Sequence, residues 1–361
     1  MRTCILLSDM QENVPLAPLT SLAAGGSAER LYTCHSNEEL QATLADADSS
    51  RLWVLGYGAN ALISDAGLPG TTVLVRTGNI VRADGDTVIA DAGVWWDDLV
   101  QFAIRENLWG LELMSAIPGG VGAAVVGNIA AYGQAVADTL AWVEVFDCGR
   151  HETCRLSPVE LNLSYRYSAF QTPEFAGFII LRAAFALHRT PNKQLEYDAA
   201  LAVAHDKKYD LSSLEGRRQT ILDTRAGAGS LWDYRHPNDY LHTAGSFFRN
   251  PVVTEDQAIA VMAHDETGRS LEVLSKMNKL HGGNGKRVSA ALVLLAAGFQ
   301  RGQTWGPVRL HPDHILKIEN TGGATAQQIY DVAQEIIRTV RTKLDIELTP
   351  EVRFLGTFKE P

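Results

Sequence analysis

Cysteine is scarce: four in 361 residues, at positions 4, 34, 148 and 154. That is too few for a disulfide scaffold and fits a reducing compartment. No stretch approaches the roughly 18 consecutive apolar residues of a spanning helix, so no membrane association is expected. The first nine residues hold one short apolar run, Cys4-Ile5-Leu6-Leu7, too short for a secretory signal core, and a cytoplasmic location is expected. Basic residues are outnumbered 32 to 42, for a net charge of −10. A duplex binder usually carries a basic face, so no nucleic-acid partner is expected. An anionic small ligand stays open, because local donors hold it against the net charge. There is no Gly-Lys-Ser/Thr and hence no P-loop. There is no Gly-x-Ser-x-Gly either, which leaves His281-Gly282-Gly283 without the partner motif of an esterase oxyanion loop.

What is present is ordinary globular composition, 46 % hydrophobic and 20 % charged, with 31 glycines. A chain this long buries a sizeable core unaided. At about 150 residues per domain it holds two or three. Short apolar runs predict strands at 51–55, 72–76, 87–91, 140–146 and 177–187. Helical spacing of Leu99, Phe102 and Ala103 predicts a helix from Trp96 to Glu106. Thr325 and Gln328 form a capping-box pattern ahead of the stripe Ile329, Val332, Ala333, Ile336 and Val340, which predicts a helix from 325 to 343. Residues 191–237 are polar and mixed, and read as an inserted segment or a linker region. The class is α+β with mixed sheets.

Two clusters invite a metal. Cys148, His151 and Cys154 sit three apart but look like a hairpin turn, with no evident fourth ligand. His311-Pro312-Asp313-His314 offers two imidazoles and likewise does not build a convincing set. No metal is expected.

Two glycine-rich segments stand out. Gly56-Tyr57-Gly58-Ala59-Asn60-Ala61 formally satisfies G-x-G-x-x-G/A after a strand. A dinucleotide site of the Rossmann kind also needs a long helix there, and Gly67 with Pro69-Gly70 leaves no room for one. The segment is either a plain tight turn or a nest of amides for a phosphate. Ser115 to Gly133 packs five Gly and five Ala into 19 residues. Something approaches its backbone closely, either another element or a flat cofactor with a diphosphate.

These segments belong to a longer series. Val14-Pro-Leu-Ala-Pro-Leu-Thr-Ser-Leu22 and Gly25-Gly-Ser-Ala28 come first. The two glycine segments follow, then Ser164-Tyr-Arg-Tyr-Ser-Ala-Phe170, Gly245-Ser-Phe-Phe-Arg-Asn-Pro251 and Pro350-Glu-Val-Arg-Phe-Leu-Gly356. In this order they resemble the UDP-N-acetylenolpyruvoylglucosamine reductase family over nearly the whole chain. The resemblance implies an FAD-binding domain of the vanillyl-alcohol-oxidase type in two α+β halves, residues 1–80 and 81–190. A substrate-covering insertion at 191–237 and a C-terminal α+β substrate domain at 238–361 would follow. It implies FAD and NADPH as cofactors and a UDP-sugar as the small-molecule partner, in cytoplasmic peptidoglycan precursor synthesis. Any oligomeric partner is left open. A same-fold FAD oxidoreductase acting on another substrate is the alternative.

By the same resemblance, Ser246 would donate a proton, Arg166 would clamp the substrate carboxylate, and Glu351 would help stabilise the enol form. A fixed fork of donors suits two carboxylate oxygens. Cofactor contacts would come from Gly56, Tyr57, Gly58, Ala59, Asn60 and Ala61. In the second segment they would come from Ser115, Ile117, Pro118, Gly119, Gly122, Ala123, Asn128, Ala131, Tyr132 and Gly133. Tyr165, Tyr197 and Asn250 would meet the substrate. The chain departs from the family pattern in four places. Ala59 replaces a serine, removing a phosphate donor worth about 1 kcal/mol. Gly127 stands where Gln is frequent, and Leu295 where an acid is usual. Ala228 stands where a lysine pairs with the substrate diphosphate, and Arg225 or Lys208 are the candidates to replace it.

Overall fold

The structure is a computed structural model that describes residues 9–266, 268, 270–282 and 286–360. Cys4 and the Gly283 end of His281-Gly282-Gly283 lie outside the described residues. The chain forms two compact units: residues 1–14, 28–58 and 68–236, and residues 15–27, 59–67 and 237–361.

Two larger sheets lie in the first unit. The four-stranded one orders its strands Met10–Pro15, Ser27–Cys34, Leu68–Val75 and Leu52–Leu55. The last three run parallel, and the central strand Leu68–Val75 is buried almost throughout. Such burial explains its near-continuous apolar run. The five-stranded sheet is antiparallel and orders Glu152–Leu156, Leu140–Asp147, Phe178–Ala186, Thr87–Asp91 and Ile80–Arg82. Cys148 to His151 make the turn of its first hairpin, with Val145 opposite Cys154. Helix Trp96–Arg105 buries Trp96, Leu99, Val100 and Ala103 against this core, as its spacing requires. The glycine segment at 56–60 leads into a three-residue strand, Ala61–Ile63, and into no helix.

The mixed region 191–237 folds mainly as two helices, Asp198–Lys207 and Leu214–Gly227, within the first unit. Ala200 and Ile221 from these helices join Leu113 and Leu195 in a small apolar cluster.

The second unit pairs a four-stranded antiparallel sheet with helix Ala326–Leu344. That helix buries Ile329, Tyr330, Val332, Ala333, Ile336 and Val340. Each buried Ile or Val contributes about 1.5–3 kcal/mol by leaving water. Its N-terminus carries the expected box between Thr325 and Gln328. Asp65 adds a second cap, accepting from the amides of Ala326 and Gln327 at 2.9 Å each. Asn320 Nδ2 donates to Leu22 O at 2.9 Å. Strand Arg353–Leu355 runs parallel to Ala61–Ile63. These bonds draw the two short early segments into the C-terminal unit.

Candidate active site

In the first unit residues 56–58 of the first glycine segment lie beside the second segment. A Cβ on Gly56 would stand 4.0 Å from the Ala123 Cβ. Trp95 pairs with Gly120 through its backbone, and its ring meets Tyr57 edge-on at 4.9 Å. Arg76 stacks over the Tyr57 ring at 4.1 Å and donates to Gly56 O at 2.9 Å. The Tyr57 hydroxyl donates to Gly93 O at 2.8 Å, and burial, then Tyr234, pushes the phenol up from its ordinary value. The ring is therefore a fixed neutral support for the loop.

The glycines of the second segment divide by role. A Cβ on Gly122 would meet the Ala92 Cβ at 2.9 Å, and one on Gly120 the Ala92 carbonyl at 3.0 Å. Packing alone demands small residues there. Gly119 is different: its φ is +131°, and a Cβ would meet nothing within 4 Å. Among the described residues, the amides of Tyr57, Gly58, Ile117, Gly119 and Gly120 donate to no protein acceptor. Five amides presented by two adjoining loops fit the diphosphate of a dinucleotide. The residues present therefore suit FAD.

Other expected contacts are built into the frame. Ser115 is fully buried, and its hydroxyl donates to Glu112 O at 2.7 Å. Pro118 precedes Gly119 in the loop. Ala131 pairs with Gln134 in a hairpin whose turn, Tyr132-Gly133, has φ of +51° and +94°. Tyr132 meets Tyr197 edge-on at 5.2 Å, and Tyr197 precedes helix Asp198–Lys207. Asn128 ends helix Val121–Gly127 at φ +40°. Its Nδ2 donates to Ser164 O at 2.7 Å and its Oδ1 accepts from the Ala137 amide at 3.0 Å.

Arg166 follows directly from that bracket. Ser164 and Tyr167 exchange backbone bonds at 3.1 Å each, so Tyr165 and Arg166 form the tip of a tight turn. Arg166 has φ +53°, a left-handed conformation that costs a non-glycine residue about 1 kcal/mol or more. Gln171 Nε2 supports it by donating to Arg166 O at 3.0 Å and to Val126 O at 2.9 Å. Arg225 hydrogen-bonds the Tyr132 hydroxyl and donates to Ser230 O at 2.6 Å. Lys208 is exposed at the end of its helix.

In the second unit, Ser246 and Glu351 stand on adjoining segments. Glu351 N–H donates to Phe247 O at 2.8 Å, and Arg249 N–H to Thr349 O at 2.9 Å. Phe248 is thereby placed opposite Pro350. Pro350 occupies a position that needs no donor, so its missing N–H costs the pairing nothing. Phe247 and Phe248 are buried and anchor the segment, while Ser246 is half-buried, and its hydroxyl has no partner among the described residues. Gly245, just before it, has φ +77° with open space around it. Asn60 Nδ2 donates to Glu351 O at 3.1 Å, and Ser21 Oγ donates to Ala59 O at 2.9 Å. Ala61 is buried in its strand. Asn250 Oδ1 accepts from the Ala290 amide at 2.9 Å.

Reasoning from sequence missed a second tier of residues. Asp97 holds Ala116 N–H at 2.6 Å and pairs with Arg218 through two bonds of 2.7 Å. Burial alone would raise the Asp97 pKa, but the Arg218 bonds and charge hold it below the ordinary value. Glu112 accepts from Arg217 at 3.0 Å and from the Gly110 amide at 2.8 Å. The one signal in the sequence was the Arg217-Arg218 doublet, which by itself names no partner.

Comparison with known proteins agrees with this geometry. Residues 28–157 match the family described as an FAD binding domain. Residues 236–355 match the C-terminal domain of UDP-N-acetylenolpyruvoylglucosamine reductase. The chain is 34 % identical to the UDP-N-acetylenolpyruvoylglucosamine reductase of Streptomyces avermitilis, over 98 % of this chain and 97 % of that protein. It is 33 % identical to that of Thermobifida fusca, over 97 % and 99 % respectively. A crystal structure of UDP-N-acetylenolpyruvylglucosamine reductase from Thermus caldophilus superposes with a TM-score of 0.65 at 25 % identity, covering 96 % of this chain and all of that one.

Proposed function

The chain belongs to the UDP-N-acetylenolpyruvoylglucosamine reductase family, and on that premise we propose how its own residues carry the reaction. The protein is an FAD-dependent oxidoreductase of α+β fold. It uses NADPH to reduce the enolpyruvyl group of UDP-N-acetylglucosamine enolpyruvate, giving UDP-N-acetylmuramate for peptidoglycan. The alternative, another substrate on the same fold, is not favoured by the Streptomyces and Thermobifida relatives, which carry the reductase name. Among the described residues no helix is long and apolar enough to cross a membrane. A cytoplasmic location, next to the substrate's synthesis, is part of the proposal.

FAD, when bound, supplies the hydride that reaches the vinyl carbon. Negative charge then develops on the adjacent carbon and its carboxylate. Ser246 donates the proton to that carbon, and Arg166 holds the carboxylate with its fork of donors. Glu351 stabilises the enol form beside Ser246. The amides of Tyr57, Gly58, Ile117, Gly119 and Gly120 would hold the diphosphate of FAD. Tyr165, Tyr197 and Asn250 contact the substrate, and Arg225 provides the cation that Ala228 lacks.

The observation that carries this reading is the pairing of the Ser246 and Glu351 segments. The Glu351 amide bond to Phe247 O, 2.8 Å long, holds a partnerless hydroxyl next to a carboxylate-bearing residue. Ser246→Ala tests it in two half-reactions. Flavin reduction by NADPH should keep its wild-type rate. Reoxidation by the enolpyruvyl sugar nucleotide should slow by about a hundredfold or more. Equal slowing of both steps would refute Ser246 as the proton donor.

A further inference from the structure

We propose that Arg218 is a positioning residue for the flavin-binding loop, acting through Asp97 on the strained backbone of Ala116. The proposal rests on the reading that the Ser115–Gly133 segment holds FAD. Ala116 is not glycine, yet its φ is +56°. Nothing in its side chain stabilises that conformation. Its amide donates to Asp97 Oδ1 at 2.6 Å, the shortest support the loop entrance receives. Asp97 cannot turn away, because Arg218 Nη1 and Nη2 each hold one of its oxygens at 2.7 Å and Gln101 Nε2 donates to Oδ2 at 3.0 Å. The pair is largely shielded, each side chain being 12 % exposed. A bidentate fork fixes the carboxylate plane as well as its charge. The next residue, Ile117, begins the run of amides that donate to no protein acceptor. Helix Leu214–Gly227, which carries Arg218, therefore sets the entry angle of the loop through Asp97, 121 residues from Arg218 in the chain.

Without the fork, Asp97 keeps only the single Gln101 bond beside the Ala116 amide, and Ala116 relaxes toward negative φ, carrying the amides of Ile117 and Gly119 out of line. Glycine at 116 has no such preference, so it should hold the loop without the clamp. That rescue separates positioning from a general role in docking the helix.

The test is FAD affinity, read by titrating flavin fluorescence, in wild type, Arg218→Ala, Ala116→Gly and the double variant. Arg218→Ala should weaken FAD binding about tenfold, and adding Ala116→Gly should restore it to within about twofold of wild type. Unchanged affinity in Arg218→Ala, or a double variant no better than the single one, overturns the proposal. If Arg218→Ala does not fold, Arg218→Lys keeps the charge and loses the fork. It should weaken binding a few-fold with the same rescue, and a lack of either effect is again fatal. Ile117→Glu reports on the underlying reading, since it sets a charge in the loop itself. Weak FAD binding by Ile117→Glu beside normal binding by Arg218→Ala rejects the clamp alone. Normal binding by both rejects the loop assignment and the clamp with it.

Discussion

Asn128 Nδ2 donates to the carbonyl of Ser164 at 2.7 Å, and this one bond ties the end of the second glycine segment to the turn that presents Arg166. The bond joins two stretches of left-handed backbone, Asn128 itself at φ +40° and Arg166 in the bracketed turn at φ +53°. Strain of this kind persists only where surrounding bonds over-determine it. The Asn128 side chain uses both of its ends inside the protein, so its main service is to the Arg166 turn. Asn128→Asp keeps the shape and tolerance of positive φ but loses the donor. Flavin reduction by NADPH should stay within about twofold, while reoxidation by the enolpyruvyl substrate slows roughly tenfold, measured by stopped-flow absorbance. Equal effects on both steps would detach Asn128 from Arg166.

Glu351 is the second acid–base candidate, and its backbone is held from two sides by Phe247 and Asn60. Glu351→Gln preserves that frame and the hydrogen-bonding shape of the side chain while removing the proton-transfer capacity. It should lower the substrate half-reaction by about a hundredfold with little change in FAD affinity. A full-rate Glu351→Gln enzyme would assign the residue to structure.

The buried pair Arg217–Glu112 should be the most sensitive structural contact of the first unit. Glu112 is fully buried as a side chain, and Arg217 nearly so, with 8 % exposed. Arg217→Met leaves an uncompensated buried carboxylate and should cost about 3–5 kcal/mol in urea unfolding. The double change Arg217→Met with Glu112→Gln should recover part of that loss. An Arg217→Met protein as stable as wild type would show that Glu112 finds another partner.

His314 supplies a pH dependence whose sign follows from its surroundings. Burial, then the Lys317 charge, with His311 and Arg301 adding to it, push its pKa down to about 4 from 6.5. Between those values the unfolded chain takes up a proton that the native state refuses. Stability from this site is therefore full above pH 6.5 and falls as pH drops toward 4, by on the order of 2–3 kcal/mol. Thermal melts should show a constant offset between wild type and His314→Asn above pH 6.5, with the wild type losing stability relative to the variant as pH falls toward 4. Parallel curves would remove His314 as the source.

Much of this protein was readable from local pattern, because local pattern obeys local physics. The stripe from Ile329 to Val340 follows the turn of a helix, and Thr325 with Gln328 closes its first turn within four residues. The apolar run in Phe178–Ala186 marks a central strand for the same reason. Gly67 and Pro69-Gly70 excluded a dinucleotide helix after Gly58, and a strand is found there. The ordered series of motifs identified the family, since each motif is contiguous in the chain.

What the sequence left open depended on closure of the chain over long distances. Arg218 and Asp97 are 121 residues apart, and Arg217 and Glu112 are 105 apart. No periodicity couples such positions; only the docking of helix Leu214–Gly227 brings each arginine to its acid. Likewise Asp65 caps a helix 261 residues away, so residues 59–67 belong to the C-terminal unit despite their place among first-unit strands. The division among the glycines was also tertiary. Gly120 and Gly122 are small because Ala92 lies against them, whereas Gly119 is small because its backbone faces open space at positive φ. Side-chain chemistry and short-range spacing are written residue by residue and can be read that way. Which amides stay unpaired, and which charges meet, is settled only when distant segments exclude water together.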